Sequence, residues 1–150
     1  VALHRRLAGV LGLSDRVRHV CMTGVADLES LPEGAYAFVW AQGSLHHAPA
    51  GAMKPEYAAL VRRLRPGGRW VQLAYPKTRW EREGRLPFER WGERTDGPGT
   101  PWAEWYDLPK LLDQLAPARF RPVLAFEFHN ADFNWFDLQH VAGATGGGLS

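Results

Sequence analysis

A strand, a helix and a second strand follow one another between residues 36 and 74, and this order most constrains the fold. Tyr36 to Ala41 reads YAFVWA, a nearly continuous apolar run that is typical of a central strand covered on both faces. Lys54 to Leu64 places its apolar side chains on one helical face, and Pro66-Gly67-Gly68 ends that helix. Trp70 to Ala74 predicts the next strand. The short crossover predicts that the two strands are parallel and that the domain is of the α/β class.

The amino-terminal part of the chain contains two further patterns. Residues 3 to 12 carry apolar side chains at helical spacing, and Gly12 closes the predicted helix. Val17 to Met22 is a short run with β-branched residues, followed by a Thr-Gly turn, and it predicts a strand.

The carboxy-terminal part predicts a helix and a hairpin. Asp107 is placed as the N-cap of a helix that ends at Leu115. Two β-rich runs, residues 121–128 and 132–138, flank a His-Asn-Ala turn and predict an antiparallel hairpin.

These elements predict one domain over residues 1–142. Residues 78–106 contain four tryptophans among many charged side chains, and we interpret them as an insertion or lid over a site. The Gly-rich residues 143–150 are predicted to be a flexible tail.

Composition narrows the class of protein. The 150 residues are 45% hydrophobic and 23% charged, as expected for a single globular domain. A net charge of +2 is too small to indicate a nucleic-acid surface. No apolar run has the length of a membrane span and no export signal is found, so the expected location is the cytoplasm. The single cysteine excludes an internal disulfide, and the abundance of arginine suggests a bacterial source.

Two adjoining runs carry a family resemblance. The run TGVADLESLPEGAYAFVWAQGSLHHA and the later YAALVRRLRPGGRWVQLA resemble the middle of class I S-adenosylmethionine (SAM) dependent methyltransferases. The resemblance covers roughly residues 3–138 and implies a Rossmann-like methyltransferase sheet, mixed and ending in an antiparallel hairpin. The family's G-x-G-x-G cofactor loop is not found, because Gly146 to Gly148 follow no strand. The resemblance therefore implies an N-terminally truncated domain.

The same resemblance implies where SAM would bind. One set of contacts follows the turn on the adenine side, and the other lies where the central strand ends beside the methionine part. Asp27 stands in for an acidic residue that the family often has two positions earlier. The implied cofactor-binding residues are Val25, Ala26, Asp27, Ala41, Gln42 and Gly43.

His46 and His47 are the candidate catalytic residues. They follow a strand end, where ligands bind in open α/β sheets, and an imidazole there can remove a proton from a methyl acceptor. The alternative is a loop pair that merely packs against its neighbours. No metal site is expected, because neighbouring side chains diverge and three or four ligands must converge. A serine hydrolase is disfavoured, because QGSLH lacks the second glycine of a nucleophile elbow.

Aromatic residues of the insertion are candidates for a wall around a small-molecule acceptor. The candidate substrate-binding residues are Trp80, Trp102, Trp105 and Tyr106. The alternative is that they pack the insertion onto the sheet. Stacking on nucleic-acid bases is disfavoured by the acidic residues among them.

Two functions of different classes remain. One is a SAM-dependent methyltransferase, or a fragment of one, that transfers a methyl group to a small molecule. The other is a noncatalytic binding or interaction module derived from such an enzyme and completed by a partner chain. A truncated sheet exposes an apolar edge, so a homodimer or a partner subunit is expected.

Overall fold

The computed structural model describes residues 2–100 and 102–142. They divide into two compact units, one ending at Pro32 and the other beginning at Glu33, and each is described by itself. The predicted tail, residues 143–150, lies outside the described residues.

The first unit contains a helix and a 3₁₀ helix. Helix α1 spans Ala2–Val10 and is followed by a turn in which Gly12 has a φ of 66°, so the predicted helix and its closing glycine are confirmed. The 3₁₀ helix spans Val25–Ser30. The strand predicted over Val17 to Met22 is wrong, because residues 2–32 contain no strand. A β-branched run becomes a strand only where another strand satisfies its backbone groups.

The second unit is a mixed sheet with helices. The elements are β1 (Tyr36–Gln42), α2 (Ala50–Arg63), β2 (Leu64–Pro76), α3 (Lys77–Arg82), α4 (Phe88–Thr95), β3 (Trp105–Tyr106), α5 (Leu108–Leu115), β4 (Arg119–Phe128) and β5 (Phe133–Val141). Strand β5 runs antiparallel to both β2 and β4, while β1 runs parallel to β2, in the order β1-β2-β5-β4. The predicted parallel pair and the predicted hairpin are therefore confirmed. The short strand β3 pairs with the end of β2.

Strand β1 is not the central strand that its composition predicts. Among the described strands it pairs only with β2, which places it at an edge of the sheet. Its side chains alternate in exposure, and Phe38 and Trp40 are each 60% exposed. An apolar run predicts burial on both faces only if elements cover both faces, and that depends on the rest of the fold.

The LRPGG segment directly follows the helix, as predicted, and its glycines shape the start of the next strand. Helix α2 begins four residues earlier than predicted and ends at Arg63, before the segment, and β2 begins at Leu64. Gly67 has a φ of 75°, which favours glycine. A Cβ on Gly68 would lie 2.9 Å from the Arg65 carbonyl oxygen, so both glycines are needed for the bend at the start of β2.

Helices α2 and α5 cover one face of the sheet. The core there includes Tyr57 of α2, Leu111 of α5 and Trp70 of β2, all at 0% exposure. Asp107 accepts a hydrogen bond from the Lys110 backbone N–H at 2.9 Å, which confirms the predicted N-cap of α5. Within the described part of the chain, every helix is too short or too polar to span a bilayer.

Candidate active site

The loop after β1 lies at the carboxyl edge of the parallel strand pair. Gln42 ends β1 opposite Leu73, and Gly43 turns the chain with a φ of 60°, a conformation that favours glycine. Because parallel strands end at the same edge, the loop meets Tyr75 near the end of β2. The rings of His46 and Tyr75 have centroids 4.8 Å apart.

His46 is buried and electrically neutral. The residue is only 1% exposed, and within the described residues neither ring nitrogen has a hydrogen-bond partner. The pKa of His46 is lowered to about 4, chiefly by burial; repulsion from His47 also lowers it, and attraction to Asp96 has a smaller, opposite effect. The imidazole is therefore unprotonated at neutral pH.

His47 has a defined tautomer. Its Nδ1 lies 3.0 Å from the Trp102 carbonyl oxygen. Because a carbonyl only accepts, Nδ1 carries a proton, and in the neutral form of the ring Nε2 carries the lone pair. The two histidine rings have centroids 4.3 Å apart, so the expected divergence of neighbouring side chains does not occur here.

Asp96 lies close to both histidines, with a carboxylate oxygen within 4.8 Å of a ring nitrogen of each, and sequence reasoning missed it. The Tyr75 hydroxyl donates to Asp96 Oδ1 at 2.5 Å, and the Thr95 hydroxyl donates to Oδ2 at 2.8 Å. Burial raises the pKa of Tyr75 and the contact with Asp96 raises it further, so the phenol stays a donor. Asp96 ends α4 inside a turn-rich segment, and nothing local in the sequence links it to His46.

A buried hydrogen-bond network holds the histidine loop. The indole of Trp70 donates to Gln72 Oε1 at 3.0 Å, and Gln72 Nε2 donates to the Tyr57 hydroxyl at 3.0 Å. The Tyr57 hydroxyl donates to the Leu45 carbonyl at 3.2 Å. This chain of bonds fixes the backbone immediately before His46.

The histidine loop is also tied to the insertion. The Glu104 backbone N–H donates to the His46 carbonyl at 2.8 Å. The Glu104 carboxylate accepts from the Ala50 backbone N–H at 3.2 Å, at the start of α2. Two residues of the insertion therefore hold it against the histidine loop: Trp102 bonds to His47, and Glu104 bonds to His46.

The six predicted cofactor-binding residues fall in both units. Ala41 is buried, whereas Gln42 and Gly43 are exposed at the end of β1. Val25, Ala26 and Asp27 lie in the 3₁₀ helix of the first unit. Asp27 Oδ2 accepts from the backbone N–H groups of Thr23 and Gly24 at 2.5 and 3.0 Å, and these bonds lower the pKa of its carboxyl. Asp27 thus caps this helix.

The four predicted substrate-binding aromatics separate into three environments. Trp80 and Trp105 stack with centroids 5.5 Å apart and line a cavity of about 200 Å³. The Lys110 ammonium lies 3.8 Å from the centre of the Trp105 ring. Trp102 is 53% exposed and meets His47 through its carbonyl. Tyr106 is 0% exposed and packs in the core beside Tyr57.

Comparison with solved structures identifies the fold. No protein-family model matches this chain, and no curated protein does. The structure is similar to Burkholderia thailandensis 1,6-didemethyltoxoflavin-N1-methyltransferase, which was crystallised with 1,6-didemethyltoxoflavin and S-adenosylhomocysteine. The TM-score is 0.62 and the identity 21%, over 93% of this chain and 56% of that one.

A second similar structure is geranyl diphosphate C-methyltransferase from Streptomyces coelicolor, in complex with Mg²⁺, geranyl diphosphate and S-adenosylhomocysteine. Its TM-score is 0.64 at 16% identity, over 93% of this chain and 60% of that one. The chain thus spans well under two thirds of the length of both structures. At these identities the likeness shows the fold. The chain therefore has a class I methyltransferase-like fold, an α/β architecture of the Rossmann-like type.

Proposed function

We propose that this chain is part of a SAM-dependent methyltransferase that acts on a small-molecule acceptor. The observation that carries the proposal is the position of residues 42–47 at the carboxyl edge of the parallel strand pair. Ligands of open α/β sheets bind at that edge. The two similar structures were both crystallised with S-adenosylhomocysteine, which supports the same cofactor here.

The proposed cofactor contacts are those that the family resemblance implies, taken separately for each unit. When bound, SAM would supply an electrophilic methyl group. Ala41 and Gln42 would offer backbone carbonyls and an exposed amide to its ammonium group, and Gly43 would let the cofactor approach the backbone closely. Val25 and Ala26 would supply apolar and backbone contacts to adenine. Asp27 would contribute by holding the shape of that turn.

His47 is proposed to take the proton of the acceptor. In the neutral form of its ring the lone pair would lie on Nε2, because Nδ1 donates to the Trp102 carbonyl. As the new bond to the methyl carbon forms and the C–S bond of the cofactor breaks, the proton of an acceptor O–H or N–H would pass to Nε2. His46, which is buried and neutral, would form the wall behind it.

The acceptor is proposed to lie against the aromatic insertion. Trp102 is exposed beside His47, and Trp80 and Trp105 line the neighbouring cavity. These indoles offer large apolar contact areas. Tyr106 is not part of this proposal, because it packs fully in the core.

Cofactor binding is tested by titrating S-adenosylhomocysteine into the chain by calorimetry. We expect saturable binding with a micromolar dissociation constant, and weaker binding by Gln42→Ala. Gln139→Ala is the matched control, because it removes an amide opposite Arg69, at the other end of β2. A folded chain that binds no S-adenosylhomocysteine at millimolar ligand would rule out catalysis by this chain.

The base is tested by following S-adenosylhomocysteine formation from SAM with a panel of hydroxyl- and amine-bearing acceptors. We expect His47→Asn to reduce turnover by about 100- to 10,000-fold, the usual worth of a general base, with little change in cofactor affinity. His129→Asn in the β4–β5 turn is the control. Equal turnover in both variants would remove His47 from the mechanism.

A noncatalytic interaction module is the second candidate. It is favoured by one observation, the exposed aromatic side chains of Phe38 and Trp40 on strand β1. Such a module would form a homodimer or pair with a partner subunit, and sedimentation of the chain over a range of concentrations tests the former. For either candidate function, we propose the cytoplasmic location that is expected from the sequence.

A further inference from the structure

We infer that His46, His47 and Asp96 form a binding site for a divalent transition-metal ion of the zinc type. Each side chain offers one ligand atom, and these atoms all lie within 4.8 Å of one another. Binding of such an ion is independent of methyl transfer. The ion would be a ligand of the histidine loop in addition to SAM and the acceptor.

The chemistry of the three side chains suits such an ion. Two imidazoles and one carboxylate are a common ligand set for zinc and related metals, and three protein ligands leave positions for water or a bound molecule. Neighbouring ligand atoms of a tetrahedral zinc ion lie about 3.3 Å apart, so no pair within the 4.8 Å limit has to close by more than about 1.5 Å. Asp96 is exposed, so its side chain has room to adjust.

The unpartnered ring of His46 is the strongest indication that this cluster binds a ligand. Its ring is buried, and within the described residues both nitrogens lack a hydrogen-bond partner. Burying an unpaired polar group is unfavourable, so such groups in folded proteins normally have a hydrogen-bond or metal partner. A metal bound to one ring nitrogen would satisfy it, and the partly exposed His47 and exposed Asp96 give an ion access from solvent.

The surrounding hydrogen bonds orient the other two ligands. His47 donates from Nδ1 to the Trp102 carbonyl, which leaves Nε2 directed away from the backbone as a ligand. Asp96 accepts from the hydroxyls of Tyr75 and Thr95. Metal-binding histidines and carboxylates are usually held by outer partners of these kinds.

A bound ion would use the lone pair that the proposed base role of His47 needs. The ion would then assist the acceptor instead, because an oxygen bound to a divalent metal loses its proton more readily. This consequence rests on the proposed function, whereas metal binding does not.

Calorimetric titration of Zn²⁺ into the chelator-treated chain, without SAM, tests the inference. We expect one ion per chain at this site and, with Co²⁺, the visible absorption bands of a nitrogen- and oxygen-ligated ion. Asp96→Asn and His47→Asn should each weaken binding by more than about tenfold, and Tyr75→Phe, which removes only a hydroxyl partner of Asp96, by about tenfold. Circular dichroism establishes that each variant is folded.

Two control variants address three of the four other histidines. His129 lies 3.2 Å from Asp132, and the rings of His4 and His19 have centroids 6.0 Å apart. His129→Asn and the double variant of His4→Asn with His19→Asn should leave the affinity unchanged. The inference is overturned if the folded chain binds no Zn²⁺ at millimolar concentration, if Asp96→Asn and His47→Asn bind as the parent does, or if a control variant abolishes binding. Any of these results leaves the S-adenosylhomocysteine titration unaffected.

Discussion

The two faces of the sheet in the second unit differ sharply in solvent exposure, although both are largely apolar. On the face toward α2 and α5, Trp70 and Leu138 are 0% exposed and Phe136 is 2% exposed. On the other face, Phe38 and Trp40 are each 60% exposed and Phe126 is 45% exposed. Alternation along the strands places neighbouring residues of one strand on opposite faces.

The polar groups differ between the faces as well. The covered face encloses Gln72, which is bonded to Trp70 and Tyr57. The other face carries the Arg69–Asp137 ion pair, in which the Arg69 Nε lies 2.6 Å from Asp137 Oδ1. Hydrophobic stabilisation is proportional to the apolar area removed from water, so the covered face should contribute most of the stability. An apolar sequence alone does not distinguish the faces.

Replacing a tryptophan on each face gives the largest expected contrast. Trp70→Ala should lower the free energy of unfolding by about 3–5 kcal/mol, because it removes a fully buried indole. Trp40→Ala, its matched control, should lower it by less than about 1 kcal/mol, because that indole is mostly exposed. Urea denaturation measures both. Equal losses would mean that the second face is covered in solution.

Acidification should expose the cost of burying His46. The pKa of His46 falls from 6.5 in the unfolded chain to about 4 in the folded chain, chiefly because the ring is buried. The charge of His47 disfavours protonation of His46, and that of Asp96 favours it. Tyr75, a neutral phenol, packs against the His46 ring. Between these values the unfolded chain binds the proton and the folded chain does not. The free energy of unfolding should therefore fall as the pH drops from about 6.5 to about 4, by roughly 3 kcal/mol.

The pH effect is measured by urea denaturation of the metal-free chain at several pH values. His46→Gln should lose this part of the pH dependence, whereas His129→Asn, an exposed control, should keep it. The same slope for the parent and His46→Gln would assign the acid sensitivity to carboxylates instead.

Removing one hydroxyl tests the buried polar network of the covered face. Tyr57→Phe leaves the Leu45 carbonyl without its donor and Gln72 Nε2 without its acceptor. We expect a loss of about 1–3 kcal/mol in the free energy of unfolding, because buried polar groups remain unpaired. Tyr36→Phe, at the partly exposed start of β1, is the matched control and should change little. A loss of similar size in both would argue against the network.

The smallest change in stability is expected on the exposed face. Phe38→Ser should alter the free energy of unfolding by less than about 1 kcal/mol, because the side chain is mostly exposed already. If the chain self-associates through this face, the same variant should weaken association, as measured by sedimentation. Unchanged association of a self-associating parent would exclude this face as the interface.

Several elements follow from local sequence because local contacts determine them. The cap of α5 depends on Asp107 and a backbone group three residues away. The β4–β5 hairpin depends on two runs that flank a short turn. The parallel pairing of β1 and β2 follows from the short crossover between them. These predictions needed no knowledge of distant residues.

The incorrect or missing sequence predictions concern segments whose structure depends on residues that are distant in the sequence. Val17 to Met22 has the composition of a strand but has none beside it in its unit. The strand after α2 is predicted to begin at Trp70, yet β2 begins at Leu64, which pairs with Tyr36 of β1. The neighbourhood of His46 was predicted from its strand-end position, but Asp96 was not, because it reaches the site through the packing of the insertion.

The sequence by itself determined the α/β class, the crossover, the hairpin and the histidine pair at a strand end, because periodicity, turns and capping act over a few residues. Tertiary structure alone decided which face of β1 is covered and which carboxylate meets His46 and His47. The physical reason is that periodicity specifies which side chains share a face, whereas burial and side-chain contact depend on the element that packs against that face.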